Sequence, residues 1–273
     1  MIRLAVRVPK ESAELVLAEL AELAPAGVEE VDEGEVVEYA IYGAEGELPA
    51  LPDLEAAAGE VRIEIRTSTV EDGWESRWKE FHRPVRVEGG EAFLVVSPPW
   101  ETTGAPEEIV VDPGRAFGTG AHPTTRLCLE LLLGESARGS CVDVGCGSGV
   151  LAIAAARLGW NPVLAIDHDP LSVEATALNA KANGAEVQTG RFDLLRDGAV
   201  PAGDLVLANL LRPLLLALAR SGFSGVGPKV LIASGLLRRE ADEVGNALCE
   251  ALGMVEQRRI DEGDWSALLL RAS

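Results

Sequence analysis

Cysteine, histidine and cationic side chains are all scarce in this chain of 273 residues. The four cysteines, Cys128, Cys141, Cys146 and Cys249, form no CxxC pair and no dense framework. That points to free thiols in a reducing compartment, and a cytoplasmic protein is expected. Three histidines without an HExxH spacing leave little material for a zinc site, so no metal is expected. Lys and Arg number 24 against 44 Asp and Glu, a net charge of −20. Gripping a phosphate backbone takes clustered cations, so no direct nucleic-acid binding is expected. An anionic membrane surface would repel such a chain. No apolar run reaches the ~18 residues that cross a bilayer. The alternating start MIRLAVRVPKESAEL lacks the apolar core of a secretory signal, so none is expected. What is present is globular composition, 47% apolar and 25% charged, long enough for one large domain or two smaller ones at ~100–200 residues each.

The charge is unevenly spread. Residues 1–66 hold 16 acidic and 5 basic side chains, a net of −11, which suggests a separate module with its own, cationic partner. The plain alternative is solubility through net charge. Ile2, Leu4, Val6 and Val8 alternate with polar or small residues, as in a half-buried strand. Leu15, Leu17, Leu20 and Leu23 sit among four glutamates from Glu11 to Ala24, as in an amphipathic helix that Pro25 and Gly27 stop. Val28–Val31 and Val36–Tyr42 read as strands, Leu54–Ala58 as a short helix, and Val61, Ile63 and Ile65 mark a last strand. The order β-α-β-β-α-β is the ferredoxin-like arrangement, here spanning residues 1–68 and carrying no catalytic constellation. In the following segment, 69–84, Trp74, Trp78 and Phe81 fall on one helical face. A linker helix packing that stripe on a neighbour is expected.

From Val85 to residue 273 strands and helices alternate. Strand-like pieces, Phe93–Val96 and Ile109–Val111, precede a Gly-rich loop. Then come strands at Ser140–Val144, Val163–Ile166, Glu186–Thr189, Leu205–Ala208 and Val230–Ala233. Between and after them, helices are expected at Val150–Leu158, Leu171–Ala182, Leu214–Arg220 and Glu240–Leu252. Val255–Ile260 and Ser266–Leu270 close the chain as an antiparallel pair. Such alternation gives an α/β fold, a mostly parallel sheet covered on both faces, with ligands at the carboxyl ends of the strands.

The strongest local signal is Asp143-Val144-Gly145-Cys146-Gly147-Ser148-Gly149, which follows a buried strand and opens a helix, and Asp143, Gly145, Gly147 and Gly149 are expected at a cofactor. Glycine is needed where backbone comes close to a ligand or takes a positive φ. The GxGxG spacing of Gly145, Gly147 and Gly149 favours S-adenosylmethionine over a dinucleotide, because no phosphate need sit on the helix N-terminus. Asp167, 22 residues beyond Gly145, ends the adjacent strand, where a carboxylate can hold both ribose hydroxyls. Helix capping is the competing role there, and Asp169 before Pro170 explains the cap better. Asp193 follows the third strand, where an acid meets an adenine amino group or is simply a solvated loop residue. Asn209 ends the fourth strand, where methyl donor and acceptor would meet; capping of the next helix is its alternative role. The two prolines and aromatic that follow such an asparagine in amide and nucleobase methyltransferases are missing, which disfavours those substrates.

Gly114-Arg115-Ala116-Phe117-Gly118-Thr119-Gly120-Ala121-His122-Pro123-Thr124-Thr125, together with DVGCGSGVLAIAA, AIDHDP, ANLL, WESRWKEF and the terminal DWSALLL, closely resembles the ribosomal protein L11 methyltransferase (PrmA) family. The resemblance covers essentially the whole chain and is strongest over residues 110–210. It implies a class I, Rossmann-like methyltransferase domain over 85–273 and a small ferredoxin-like domain that holds the ribosomal protein. It also implies contacts to S-adenosylmethionine from Thr125, Gly145, Asp167 and Asn209, with Phe117, Gly118 and Thr119 in the loop that covers the donor. The implied reaction is N-methylation of lysine ε-amines and of the α-amine of one large-subunit ribosomal protein; separately, a monomer is expected. Another protein or a small-molecule amine is the alternative acceptor. Asn209 is expected to orient the amine, with Thr119 and His122 lining the same mouth. Where the family continues its asparagine as Asn-Ile-Leu-Ala, this chain reads Asn209-Leu210-Leu211-Arg212, which puts a cation near that mouth.

Overall fold

A computed structural model of the chain describes residues 2–13, 16, 29–32, 34–43, 63–69, 83–90, 92–112, 120–136 and 139–273. The chain divides into two compact units, Met1–Phe81 and His82–Ser273. In the first, β1 (Ile2–Pro9), β2 (Glu29–Asp32), β3 (Val36–Gly43) and β4 (Glu64–Thr69) form one sheet in the order β2-β3-β1-β4. Every neighbouring pair is antiparallel, which is the ferredoxin-like strand order. Alternation builds its core: Leu4, Val6 and Val8 of β1 pack with Val37, Tyr39 and Ile41 of β3. The buried Tyr39 hydroxyl donates to the Ala13 carbonyl at 2.9 Å. Of the helix expected over Glu11–Ala24, the described residues are a 3₁₀ turn, Lys10–Ser12, and then Ala13 and Val16, both helical and both buried in this core. The helix expected at Leu54–Ala58 and the aromatic stripe of Trp74, Trp78 and Phe81 lie outside the described residues.

The second unit begins with a three-stranded sheet. There β5 (Val85–Gly89) runs antiparallel to β6 (Ala92–Ser97), and β7 (Glu108–Val110) runs parallel to β6. Helix α1 (Pro123–Leu133) follows. Next come β8 (Cys141–Val144), α2 (Val150–Arg157), β9 (Val163–Asp167), α3 (Pro170–Ala182), β10 (Gln188–Arg191) and β11 (Val200–Pro201). They are followed by β12 (Leu205–Asn209), α4 (Arg212–Ser221), β13 (Phe223–Ser224), β14 (Val230–Leu237), α5 (Ala241–Leu252), β15 (Met254–Glu262) and β16 (Trp265–Ala272). Seven of these strands make the main sheet, ordered β10-β9-β8-β12-β14-β16-β15. From β10 to β14 all neighbours are parallel, and β16 and β15 add an antiparallel edge. The chain builds outward from β8 to β10 and then returns to place β12 on the other side of β8. The switch in direction therefore falls between β8 and β12.

Both faces of this sheet are covered, and β12 shows why its sequence has no alternation. Leu205 and Leu207 belong to the core under α1 and α2, whereas Val206 and Ala208 belong to the core under α4 and α5. Each fully buried leucine contributes roughly 1.5–3 kcal/mol. Helix α1 is the element the sequence reading did not foresee. It packs on β14 and β16 with one side and on β5 with the other. Leu127, Cys128, Leu129, Leu131 and Leu132 are therefore all buried, and no amphipathic stripe marks the helix. Among the described residues no helix is long and apolar enough to cross a membrane.

β14 runs four residues beyond the Ala233 at which the sequence pattern ends it, through a bulge between Ala233 and Leu236. Ser234-Gly235, just past the expected strand end, is strand interior. Gly235 has φ +86°, and a Cβ there would lie 2.4 Å from the Leu210 carbonyl oxygen and 2.8 Å from its carbon. This close approach sets the exit of β12, where the Leu210 N–H donates to the Ser234 carbonyl. Gly235→Ala should therefore destabilise the protein by about 1–3 kcal/mol. Urea unfolding should show a lower midpoint with an unchanged slope.

Candidate active site

The carboxyl ends of β8, β9, β10 and β12 meet at the switch point and bound a cleft of about 280 Å³. Its walls include Gly145, Asp167, Phe192, Asp193, Leu210 and Leu214. The glycine turn leaves β8 and is fastened to β9: the N–H groups of Gly145 and Cys146 donate to the Ile166 carbonyl at 2.8 and 3.1 Å. Gly145 has φ +74°, and a Cβ there would sit 2.4 Å from a Leu210 methyl. Gly149, with φ +85°, precedes the first residue of α2 and lies against Thr176. Gly147 donates its N–H to Asp167 Oδ2 at 3.1 Å.

Asp167 is buried at the tip of β9. Its Oδ1 accepts the Asp169 N–H at 3.0 Å, and the exposed His168 ring lies 3.2 Å from the same oxygen. Each carboxylate oxygen thus holds one backbone donor and keeps further lone-pair capacity. Asp169 is the cap of α3, accepting from the Leu171 N–H, with Pro170 in its first turn. Asp193 also lines the cleft, but both its oxygens have local partners: the Leu195 N–H at 2.9 Å and the Arg196 guanidinium at 3.4 Å.

Asn209 does not cap α4, whose cap residue is Leu211. Its Nδ2 donates instead to Thr125 Oγ1 at 3.4 Å, which brings the end of β12 to the first turn of α1. His122 is the cap of α1: its Nδ1 lies 2.8 Å from Thr124 Oγ1, and its ring stands edge-on to Trp265 with centroids 5.0 Å apart. Burial, then the Arg126 charge, lowers its pKa despite Glu262 nearby, so the ring is neutral at neutral pH. Arg212, the expected cation at the mouth, is engaged by Glu243 through Nε at 2.8 Å and through a second nitrogen at 2.6 Å. Phe117, Gly118 and Thr119 lie outside the described residues. Sequence reading passed over Thr176, Asn179 and Ser234, all polar and all buried. Their only signal is polarity at positions where an α/β fold buries a helix or strand.

A parallel sheet with its switch point beside β8, a glycine turn there and a carboxylate at the next strand tip define a class I, Rossmann-like methyltransferase fold. The model of the ribosomal protein L11 methyltransferase (PrmA) family matches residues 2–273, and the chain belongs to that family. It is 37% identical to the ribosomal protein L11 methyltransferase of Pelotomaculum thermopropionicum, over 99% of this chain and 98% of the relative. It is 40% identical to that of Herpetosiphon aurantiacus, over 77% of this chain and 72% of the relative. Among solved structures, the ribosomal protein L11 methylase from Lactobacillus delbrueckii subsp. bulgaricus superposes with a TM-score of 0.59 at 31% identity. That match covers 69% of this chain and 99% of the other.

Asp143 stands apart from the cleft residues. It is buried in β8 with Oδ2 accepting the Ala152 N–H of α2 at 3.1 Å, and its Oδ1 has no hydrogen-bond partner among the described residues. Burial pushes its carboxyl up to about 7, and the neighbouring Asp167 charge adds to the rise. An acid whose folded pKa is raised binds its proton more tightly folded than unfolded. Its contribution is full below the unfolded value near 4 and is lost as pH rises to about 7. Stability should fall over that window, and Asp143→Asn should flatten the fall. Urea midpoints measured from pH 4 to 8 check this; parallel curves for both proteins would show that Asp143 does not titrate there.

Proposed function

We propose that this protein transfers methyl groups from S-adenosylmethionine to amines of ribosomal protein L11, the lysine ε-amines and the α-amine among them. The observation that carries the reading is family membership over the whole chain, both units included. We further propose that the protein works as a cytoplasmic monomer without gripping nucleic acid, in keeping with its net charge of −20. Residues 1–68 are the substrate-holding domain in this reading, 69–84 the linker and 85–273 the catalytic domain.

The cleft suits a neutral nucleoside. It offers one buried carboxylate for a vicinal diol and apolar walls from Phe192, Leu210 and Leu214 for a base. Asp167 takes the ribose hydroxyls, Asp193 faces the adenine, and Gly145, Gly147 and Gly149 let the turn approach the donor. Asp143 supports that turn from beneath through α2. When bound, the donor supplies an electrophilic methyl on a positively charged sulfur. An exposed lysine has a pKa of ~10.4 and is protonated at neutral pH. A site that removes the amine from water favours the neutral, attacking form. Asn209, its amide fixed through Nδ2 by Thr125, turns Oδ1 to accept an amine N–H and so aims the lone pair. Thr119 and the neutral His122 complete that mouth. Alignment at near-attack distance then carries much of the acceleration.

Asp167→Ala should weaken S-adenosylmethionine binding by about 1.5–3 kcal/mol, the range for hydrogen bonds to a charged group. An unchanged dissociation constant by calorimetry would remove Asp167 from the ribose. The acceptor is tested with labelled S-adenosylmethionine and purified ribosomal protein L11; label that goes instead to another protein or to small amines would redirect the reading. The −11 carried by residues 1–66 attracts a cationic substrate over a Debye length of ~10 Å at 0.1 M salt. Rising salt should therefore lower kcat/KM for the protein substrate, with kcat less affected.

A further inference from the structure

Helix α3 turns a line of polar side chains toward the protein instead of toward water. Thr176, Asn179 and Asn183 lie at i, i+3 and i+7, with Thr176 and Asn179 buried and Asn183 half-buried. Asn179 Oδ1 accepts the N–H of Asp112 at 3.0 Å, while its Nδ2 donates to the carbonyl of the same residue at 3.1 Å. Asn183 repeats the pattern two residues earlier. Its Oδ1 accepts the Val110 N–H at 2.8 Å, and its Nδ2 donates to the Val110 carbonyl at 2.6 Å. The fit is metric. Four residues of helix rise about 6 Å, and two residues of extended chain advance about 6.6 Å. Side-chain amides one helical turn apart therefore answer alternate residues of the chain leaving β7, as a neighbouring strand would.

The two asparagines differ in one respect. The third hydrogen bond of Asn183 returns to its own helix, at the Asn179 carbonyl. That of Asn179 reaches the glycine turn: Nδ2 donates to the Ser148 carbonyl at 2.9 Å. Thr176 Oγ1 donates to the adjacent Gly147 carbonyl at 2.9 Å. Two successive carbonyls of the turn are thus drawn onto α3. In a planar trans peptide the C=O and N–H point opposite ways, so the N–H of Ser148 is directed away from α3. The N–H of Gly147 is the one given to Asp167. A buried amide is costly unless satisfied, and an aliphatic side chain would pack α3 against its neighbours without this network.

We propose that Asn179 is a positioning residue for the methyl-donor site, locking the glycine turn at Ser148 to the chain at Asp112 and thereby holding the turn against Asp167. The inference rests on the reading that this turn binds S-adenosylmethionine. Asn179 does not touch the donor; it acts through the turn.

The test measures S-adenosylhomocysteine binding by calorimetry on the full chain, wild type against Asn179→Ala, Asn183→Ala and Thr176→Val. The two asparagine variants each remove three hydrogen bonds, so a purely structural role predicts parallel effects. Asn179→Ala should weaken binding about tenfold, or about 1.4 kcal/mol, and raise KM for S-adenosylmethionine while kcat at saturation stays near wild type. Asn183→Ala should change affinity by less than about threefold although it lowers Tm at least as much. Thr176→Val keeps the side-chain shape and removes only the hydroxyl, so it reads the turn even where Asn179→Ala fails to fold; it should weaken binding about threefold with Tm little changed. Equal losses in the two asparagine variants, or wild-type affinity in either Asn179→Ala or Thr176→Val, would overturn the proposal. A wild-type protein that binds no S-adenosylhomocysteine would overturn the donor reading itself.

Discussion

Burial of β8, β9, β12 and β14 on both faces governs the second unit. Strands covered on either side by helices must be apolar along their length, so polar chemistry can emerge only where they end. Asp167 closes β9 and Asn209 closes β12, each on the first residue that reaches the carboxyl edge. The switch in chain direction beside β8 then opens the cleft at that edge. Asp143 breaks the rule from within β8. It is tolerated because α2 presents a backbone donor to one oxygen, and burial raises its pKa where a second donor is wanting.

Much of this was legible in the sequence because it is local. The glycine turn, Asp167 and the cap at Asp169 are each defined by neighbours within a few residues, and the structure places them as read. The misses are long-range. Helix α1 carries only the two charges Arg126 and Glu130 as a polar strip, because a second sheet covers much of the side that would otherwise face water. β14 continues past Ala233 through Gly235, whose missing side chain lets the Leu210 backbone approach, a contact no local pattern encodes. Asn179 carries no local signal, since its partner Asp112 lies 67 residues away. The β10 strand was read two residues early, at Glu186–Thr189 instead of Gln188–Arg191. Its exposed, polar pattern gave no hydrophobic period to count.

The charges near the cleft mouth are largely spent on one another. Arg212 is matched by Glu243 and Arg196 by Asp193. The departure from the family pattern at Arg212 therefore brings a cation that Glu243 already pairs. Exposed pairs of this kind add little to stability. The acidic excess lies elsewhere in the sequence, the largest share of it in residues 1–66.

Helix α1 reaches water only along a narrow, half-exposed strip at Arg126 and Glu130, and Thr125 sits buried in its first turn, within reach of Asn209. A hydroxyl on a loop would surrender rotational freedom each time a ligand arrived, and that loss would be subtracted from affinity. Thr125 surrenders it once, when the chain folds and two sheets close around the helix. The layer of leucine that hid α1 from the hydrophobic pattern is thus also what makes this corner of the site preorganised: its entropy is spent in folding, and repeated cycles of binding and release need not spend it again.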